Sequence, residues 1–356
     1  MRVLTINPGS TSTKVAVFDD ETPVFNETLR HTTEELAPFP HIADQYEFRR
    51  DVVLGFLQER GIGLDTLDAV VGRGGRLRPI PSGTYRVNER MLADLRQPGE
   101  REHASNLGAL LAHEIARRSR VPAFIVDPVC VDEFDEIARV SGWPEVERRS
   151  LSHALNLKAT ARRAARDLGK RYEDLNLVVA HIGGGISVTA HRRGRMVDVN
   201  QALDGTGPFS PERAGGLPVG DVVRIAYSGQ YTLDEMKRKI AGQGGLVAHL
   251  GTNSAVEVER RIAKGDAHAR LVYEAMAYQI AKEIGGMATV LKGDVDAVVL
   301  TGGVARSEML VGWIRERVAF IAPVLVYPGE DEMLALAQGA LRVLRGEEAA
   351  KEYQSA

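Results

Sequence analysis

The sequence predicts two related α/β domains, each a mixed sheet flanked by helices. Three observations predict this. Two β-type runs, RVLTI at 2–6 and KVAVF at 14–18, flank the turn NPGSTST, and the arrangement returns as LVVAHI at 177–182 and ISVTAH at 186–191 around Gly183, Gly184 and Gly185. Asp68-Ala69-Val70-Val71 leads into Gly74-Gly75, just as Asp296-Ala297-Val298-Val299 leads into Gly302-Gly303. Two matched features in the same order read as a duplication. Finally, 356 residues are more than one ordinary domain needs.

The elements follow in order. The runs at 2–6 and 14–18, separated by Pro, Gly and Ser, read as a hairpin. Residues 42–60 carry Ile42, Tyr46, Val53 and Leu57 at helical spacing, and 103–119 carry Leu107, Leu110 and Leu111. Gly142, Trp143 and Pro144 break the pattern, which places a boundary near residue 148 between domains 1–148 and 149–332. The second domain opens with the hairpin 177–191, and RMVDV at 195–199 adds a third strand after a basic turn. Thr232 with Glu235, and Ser254 with Glu257, have the spacing of capping boxes. Gly265 and Gly293 stand where helices should stop. A strand at Val324 to Tyr327 precedes a last helix over 331–346.

Composition narrows the function. With 44% hydrophobic and 26% charged residues, a soluble globular core is available. The 45 basic residues are matched by 48 acidic ones, for a net charge of -3, so nucleic-acid or anionic-membrane binding is not indicated. Cys130 is the only cysteine, which excludes an intrachain disulfide and a multi-cysteine metal site. No run approaches a membrane span and the start lacks a signal peptide's apolar stretch, so a cytoplasmic location is expected.

The chemistry is expected at the glycine turns. No G-x-x-x-x-G-K-[ST] and no G-x-G-x-x-G is present, which argues against Walker-type and Rossmann sites. Instead, glycine-rich turns follow β-runs at 7–13, 72–75, 183–185 and 302–303. Glycine lets backbone N–H groups approach phosphate oxygens. Ser10, Thr11, Ser12 and Thr13 add hydroxyls, and Lys14 adds a charge. Any one such turn is explained by hairpin closure alone; their repetition in duplicated units points to nucleotide.

Six blocks then carry a resemblance over almost the full chain: TINPGSTSTK at 5–14, GEREHASNLGA at 99–109, VDPV at 126–129, AHIGGGIS at 180–187, LDGTGPFSPER at 203–213 and LTGG at 300–303. In this order they resemble the acetate and butyrate kinases of the actin-like ATPase superfamily, the butyrate kinases most of all. The resemblance implies two actin-like (ribonuclease H-like) domains with a cleft between them as active site, and a helix from about 333 to 356 packed back on the first domain. It implies ATP and Mg²⁺ as cofactors, a short-chain carboxylate as substrate and a homodimer or larger assembly.

Residue by residue, Asn7, Ser10, Ser12 and Lys14 match the first phosphate loop. Gly183, Gly184 and Gly185 match the second, with His181 beside it. Gly302 and Gly303 match the adenosine motif. Arg213 and Arg73 match the two active-site arginines, and His153 the histidine at the transferring phosphoryl group. Glu332 and Asp127 match the carboxylates associated with Mg²⁺, with Asn7 near them. Acetate kinases have Asn where Gly184 stands and a second His where Leu157 stands; both departures agree with butyrate kinases.

Arginines, a histidine, Mg²⁺ and N–H donors suit this reaction, because a carboxylate attacking an anionic triphosphate must overcome like-charge repulsion. A sugar kinase with Asp127 as base, and a non-catalytic actin-like switch, remain as alternatives. Without their blocks, Arg213 reads as a surface residue, His153 as a helix-start residue and Glu332 as a helix-dipole charge.

Overall fold

The structure is a computed structural model that describes residues 1–97, 103–203 and 205–354. Part of the block at 99–109 (residues 99–102) and Asp204 of the block at 203–213 lie outside the described residues. Its strands, in chain order, are β1 (Arg2–Pro8), β2 (Ser12–Asp19), β3 (Thr22–Arg30), β4 (Ala69–Arg73), β5 (Thr84–Arg86), β6 (Ala123–Val126), β7 (Asn176–Ile182), β8 (Ile186–Arg192), β9 (Arg195–Val199), β10 (Ala297–Gly302), β11 (Val324–Pro328) and β12 (Lys351–Glu352).

They form two mixed sheets, in the orders β12-β5-β6-β4-β1-β2-β3 and β11-β10-β7-β8-β9. In the first, β1 pairs antiparallel with β2 and parallel with β4, which pairs parallel with β6. In the second, β7 pairs antiparallel with β8 and parallel with β10, which pairs parallel with β11. The same five-strand topology therefore occurs twice. The duplication expected from the two hairpins and the two Asp-Ala-Val-Val runs is present in the folded chain.

One unit comprises Met1–Val131 with Asp331–Ala356, the other Asp132–Glu330. In the first, Leu4, Ile6, Val15, Val17 and Val70 of the sheet pack with Val53 and Leu57 of helix Tyr46–Glu59 and with Leu107, Leu111 and Ile115 of helix Asn106–Ser119. Helix Glu332–Leu344 packs on β1, β2, β4 and β6 of the same sheet. With helices on both sides, β1 and β4 are nearly continuous apolar runs, as strands covered on both faces are. The edge strand β3 is exposed at alternate positions and reads TPVFNETLR. That weak apolar signal is why the sequence did not announce a third strand in the first meander.

In the second unit, Val178, Ala180 and Ile182 of β7 join the core built on helix Ala267–Val290. Helix Ala154–Asp167 also packs on β7 and β10. The capping box at Thr232 is complete, with Glu235 returning a bond to the Thr232 N–H at 2.8 Å. At Ser254 only half of the box forms, because the Glu257 carboxylate accepts from Thr252 at 2.7 Å instead.

The chain passes between units at Val131/Asp132, upstream of the boundary expected near residue 148. The reason is electrostatic. Glu133 pairs with Lys158 at 2.6 Å and Asp135 with Arg192 at 2.5 Å, tying residues 132–139, braced internally by Asp132 and Arg139 at 2.7 Å, to the second sheet and its helix. Gly142, Trp143 and Pro144 form an exposed turn inside the second unit. No helix among the described residues is long and apolar enough to cross a membrane.

Candidate active site

The parallel register of β1 and β4 sets Ile6 opposite Gly72, so Asn7 and Arg73 emerge side by side at the same end of the first sheet. Glu332 meets both. Its Oε2 accepts from Asn7 Nδ2 at 2.7 Å, and its Oε1 accepts from Arg73 Nη1 at 2.5 Å. Glu332 opens its helix one residue after the N-cap Asp331, where a negative charge is also favoured by the helix dipole. Three expected site residues thus converge from positions that lie 259 and 325 residues apart in sequence.

Asp127 follows β6 and adopts φ 38°, the left-handed region uncommon for a non-glycine residue. It is buried, and its Oδ1 accepts from Ser82 Oγ at 2.6 Å and from the Gly83 N–H at 2.8 Å. The carboxylate is therefore held by the loop before β5. His103 lies at the N-terminal side of helix Asn106–Ser119, with Nδ1 at 2.8 Å from Ser105 Oγ. Burial, and then Arg76 and Arg73, push its pKa below the usual histidine value, so it is neutral at pH 7.

The β1–β2 turn is closed by the Gly9 N–H donating to the Ser12 carbonyl at 2.8 Å. Ser10 and Lys14 are exposed and Ser12 is half-buried; Lys14 stands opposite Asn7 in the ladder. Beneath this turn is a residue that the sequence reasoning missed. Arg49, fully buried on helix Tyr46–Glu59, donates to the carbonyls of Gly9, Ser10 and Ser12 at 2.8–2.9 Å. It also reaches Thr13 Oγ1 at 3.2 Å and Gln45 Oε1 at 2.8 Å. The available signal was its place on the apolar stripe, between Tyr46 and Val53.

In the second unit, His153 precedes helix Ala154–Asp167 and stacks on His181, with ring centroids 4.0 Å apart and planes 14° from parallel. His153 Nδ1 is 2.9 Å from Ser187 Oγ. His181 is buried at the end of β7; its Nδ1 is 2.9 Å from Asn156 Oδ1 and its Nε2 is 3.2 Å from Glu330 Oε1. Asn156, Ser187 and Glu330 were not singled out from the sequence, because polar residues beside apolar strands carry no periodic signal of their own.

Arg213 lies against the turn between β7 and β8. A Cβ on Gly185 would fall 1.9 Å from Arg213 Nη1, so the glycine is what admits the guanidinium. Arg213 also donates to the Ala202 carbonyl. Ser210 fixes the approach, donating to the Gly184 carbonyl at 2.6 Å and accepting from the Arg213 N–H at 3.1 Å. Gly302 ends β10 with φ 95°, and a Cβ there would meet the Ile182 backbone at 2.3 Å. Only glycine combines that conformation with that approach. Gly303 begins the short helical turn that follows.

The structure therefore gathers Asn7, Arg73 and Glu332 in one unit, and His153 with His181 and Arg213 with Gly185 in the other. Residues 146–321 match the model of the acetokinase family. That stretch contains His153, His181, Gly183 to Gly185, Arg213, Gly302 and Gly303; Asn7, Arg73, Asp127 and Glu332 lie outside it. The chain is also similar in structure to acetate kinase from Porphyromonas gingivalis, at 20% identity and a TM-score of 0.77 over 96% of this chain and 99% of that one. A propionate kinase from Francisella tularensis matches at 19% identity and a TM-score of 0.74, over 95% and 98% of the two chains. Acetate kinase from Entamoeba histolytica matches at 16% identity and a TM-score of 0.74, over 96% and 99%. These likenesses establish the two-domain actin-like ATPase fold.

Proposed function

We propose that this protein transfers a phosphoryl group from ATP to the carboxylate of a short-chain fatty acid, giving an acyl phosphate and ADP, with butyrate or a related branched acid as the preferred acceptor. The observation that carries the reading is Arg213 seated on Gly185 within the acetokinase-matched stretch. In this reading the guanidinium held against Gly185 is the donor that meets phosphate at the glycine turn.

The acceptor needs no general base, since a carboxylic acid of pKa ~4–5 is already ionised at neutral pH. What the reaction needs is compensation of charge spread over the phosphoryl oxygens. Arg213, Arg73 and His153 supply donors for that charge, and Asn7 with the turn Gly9–Thr13 holds the transferring group. The glycines at 183–185, and Gly302 with Gly303, receive the nucleotide through backbone. His181 holds His153 in place by stacking and Ser187 by hydrogen bonding, while Glu330 and Asn156 hold His181.

Among the described residues no cluster of three or more His, Cys, Asp or Glu side chains could hold a metal ion. Mg²⁺ carried by ATP does not require one, because it keeps its waters and phosphate oxygens and takes one or two carboxylates. In this reading Glu332 and Asp127 would be those carboxylates, and the ion would neutralise phosphate charge. A chain of greater length than acetate is supported by the two departures from the acetate-kinase pattern. Leu157 is a fully buried apolar residue on helix Ala154–Asp167, and Gly184 brings no side chain to its turn. The same reading carries a cytoplasmic location and self-association.

The test is hydroxamate trapping of the acyl phosphate with ATP, Mg²⁺ and acids of two to six carbons. The expected result is turnover with the highest kcat/KM at four or five carbons. A maximum at acetate or propionate would overturn the chain-length assignment. No hydroxamate with any acid, or ATP consumption with sugars alone, would overturn the function.

A further inference from the structure

We infer that Arg49 is a positioning residue for the phosphate loop, its buried guanidinium gathering the loop's carbonyls on one side so that the N–H groups of Ser10 and Thr11 face the anion on the other. The inference rests on the proposed phosphoryl transfer for its kinetic consequence, and on hydrogen-bond geometry for its mechanism.

Every polar edge of the guanidinium is engaged. Nη1 donates to Gly9 O and Ser12 O, each at 2.8 Å, and to Thr13 Oγ1 at 3.2 Å. Nη2 donates to Ser10 O at 2.9 Å and Gln45 Oε1 at 2.8 Å, and Nε to Gln45 Oε1 at 3.0 Å. None of these acceptors is a carboxylate. In a trans peptide the C=O and the following N–H point in opposite directions, and the chain contains no cis peptide among the described residues. Drawing the Gly9 and Ser10 carbonyls onto Arg49 therefore turns the N–H of Ser10 and of Thr11 away from it. Successive N–H groups facing one way make an anion-binding concavity.

The charge contributes as well. Burial lowers the Arg49 pKa to about 10, so it remains protonated at neutral pH. A buried cation surrounded by neutral oxygens is costly unless dipoles and an approaching anion compensate it. The turn's carbonyl dipoles supply the first, and a phosphoryl group on the opposite side of the turn would supply the second. Lysine cannot substitute, because a single ammonium with three donors lacks the planar five-donor fork that reaches three carbonyls, a hydroxyl and an amide together. Thr13, held on its other side by His31 Nε2 at 2.9 Å, completes the clamp.

Arg49→Lys and Arg49→Met test this, each first shown to be folded by circular dichroism and by a Tm above the assay temperature. Displacing a reacting group by about 1 Å costs roughly 100-fold. The expected result is thus kcat lowered about 30- to 100-fold in both variants, with the KM for the acid within threefold of wild type. Tripolyphosphate, titrated calorimetrically, should bind the variants at least tenfold more weakly. If Arg49→Met does not fold, Arg49→Lys decides. A folded variant with kcat within threefold of wild type and unchanged tripolyphosphate affinity overturns the inference. Wild-type protein that binds tripolyphosphate but forms no hydroxamate, with Arg49→Lys losing that binding, would sink the carboxylate-kinase reading and leave the loop inference standing. Hydroxamate formation undiminished in Arg49→Lys would do the reverse.

Discussion

Replacing Gly185 by alanine should separate the placement of Arg213 from the stability of the fold. An added Cβ would sit 1.9 Å from Arg213 Nη1 and 2.5 Å from its Cζ. Ordinary carbon contacts begin near ~3.5 Å. The guanidinium must therefore retreat by about 1.5 Å, and its bond to the Ala202 carbonyl cannot survive unchanged. The atoms that give way are the far end of a flexible side chain, so the folded state loses little. Catalysis responds differently, since a misplacement of about 1 Å costs roughly 100-fold in rate. Gly185→Ala should then lower kcat about 100-fold in the hydroxamate assay while shifting Tm by no more than ~3 °C, the shift of a small change in a large chain. A kcat within threefold of wild type would refute the reasoning. So would a loss of activity that merely tracks a fall in Tm.

Arg213→Ala removes the donor itself and should cost at least ~100-fold in kcat; near-normal kcat would take Arg213 out of the mechanism. Glu332→Gln keeps the acceptor for Asn7 but loses the charge shared with Arg73. It should raise the Mg²⁺ concentration needed for half-maximal rate, and an unaltered Mg²⁺ profile would exclude Glu332 from the metal's surroundings. Stability should fall as pH drops below about 6.5. His31, His103 and His191 all have pKa values lowered chiefly by burial, so the unfolded chain takes up protons that the folded chain refuses. Each contributes up to ~1.4 kcal/mol per pH unit across the window from about 6.5 down to its folded pKa. Urea unfolding at pH 7.5 and 5.5 measures this, and equal stabilities would contradict it.

Much of the fold was legible because it is local. Hairpins around Gly-rich turns, helical stripes and a repeated Asp-Ala-Val-Val run are all patterns within a dozen residues, and the two sheets contain them where they were read. The first meander's outer strand was not, since an edge strand half in solvent has little apolar pattern to show. The unit crossing lies upstream of the expected boundary because a Gly-Trp-Pro break signals a turn, whereas Glu133 and Asp135 tie the segment after Val131 to the distant Lys158 and Arg192. Within the candidate site the glycines, arginines and histidines were recognisable as blocks. Their supports were not: Arg49 sits on a helical face that periodicity marks as apolar, and Ser210 acts through one hydroxyl on a turn far from it in sequence. The meeting of Asn7, Arg73 and Glu332 depends on chain closure over most of the protein, which no window of sequence contains.

That closure has a consequence for how the protein is made. The first unit is interrupted: Asn7 and Arg73 emerge early from the ribosome, but Asp331–Ala356 follows only after all of Asp132–Glu330 has been synthesised. At ~5–20 residues per second the wait is roughly 10–40 s, long compared with the folding of a single domain. During that interval helix Glu332–Leu344 does not yet cover its sheet, and the apolar side chains of β1 and β4 on that face are open to mispairing. The second unit, continuous in sequence, can form first. Released chains truncated after Glu330 should accordingly be protease-resistant over Asp132–Glu330 and sensitive over Met1–Val131, with resistance of the latter restored in the full chain.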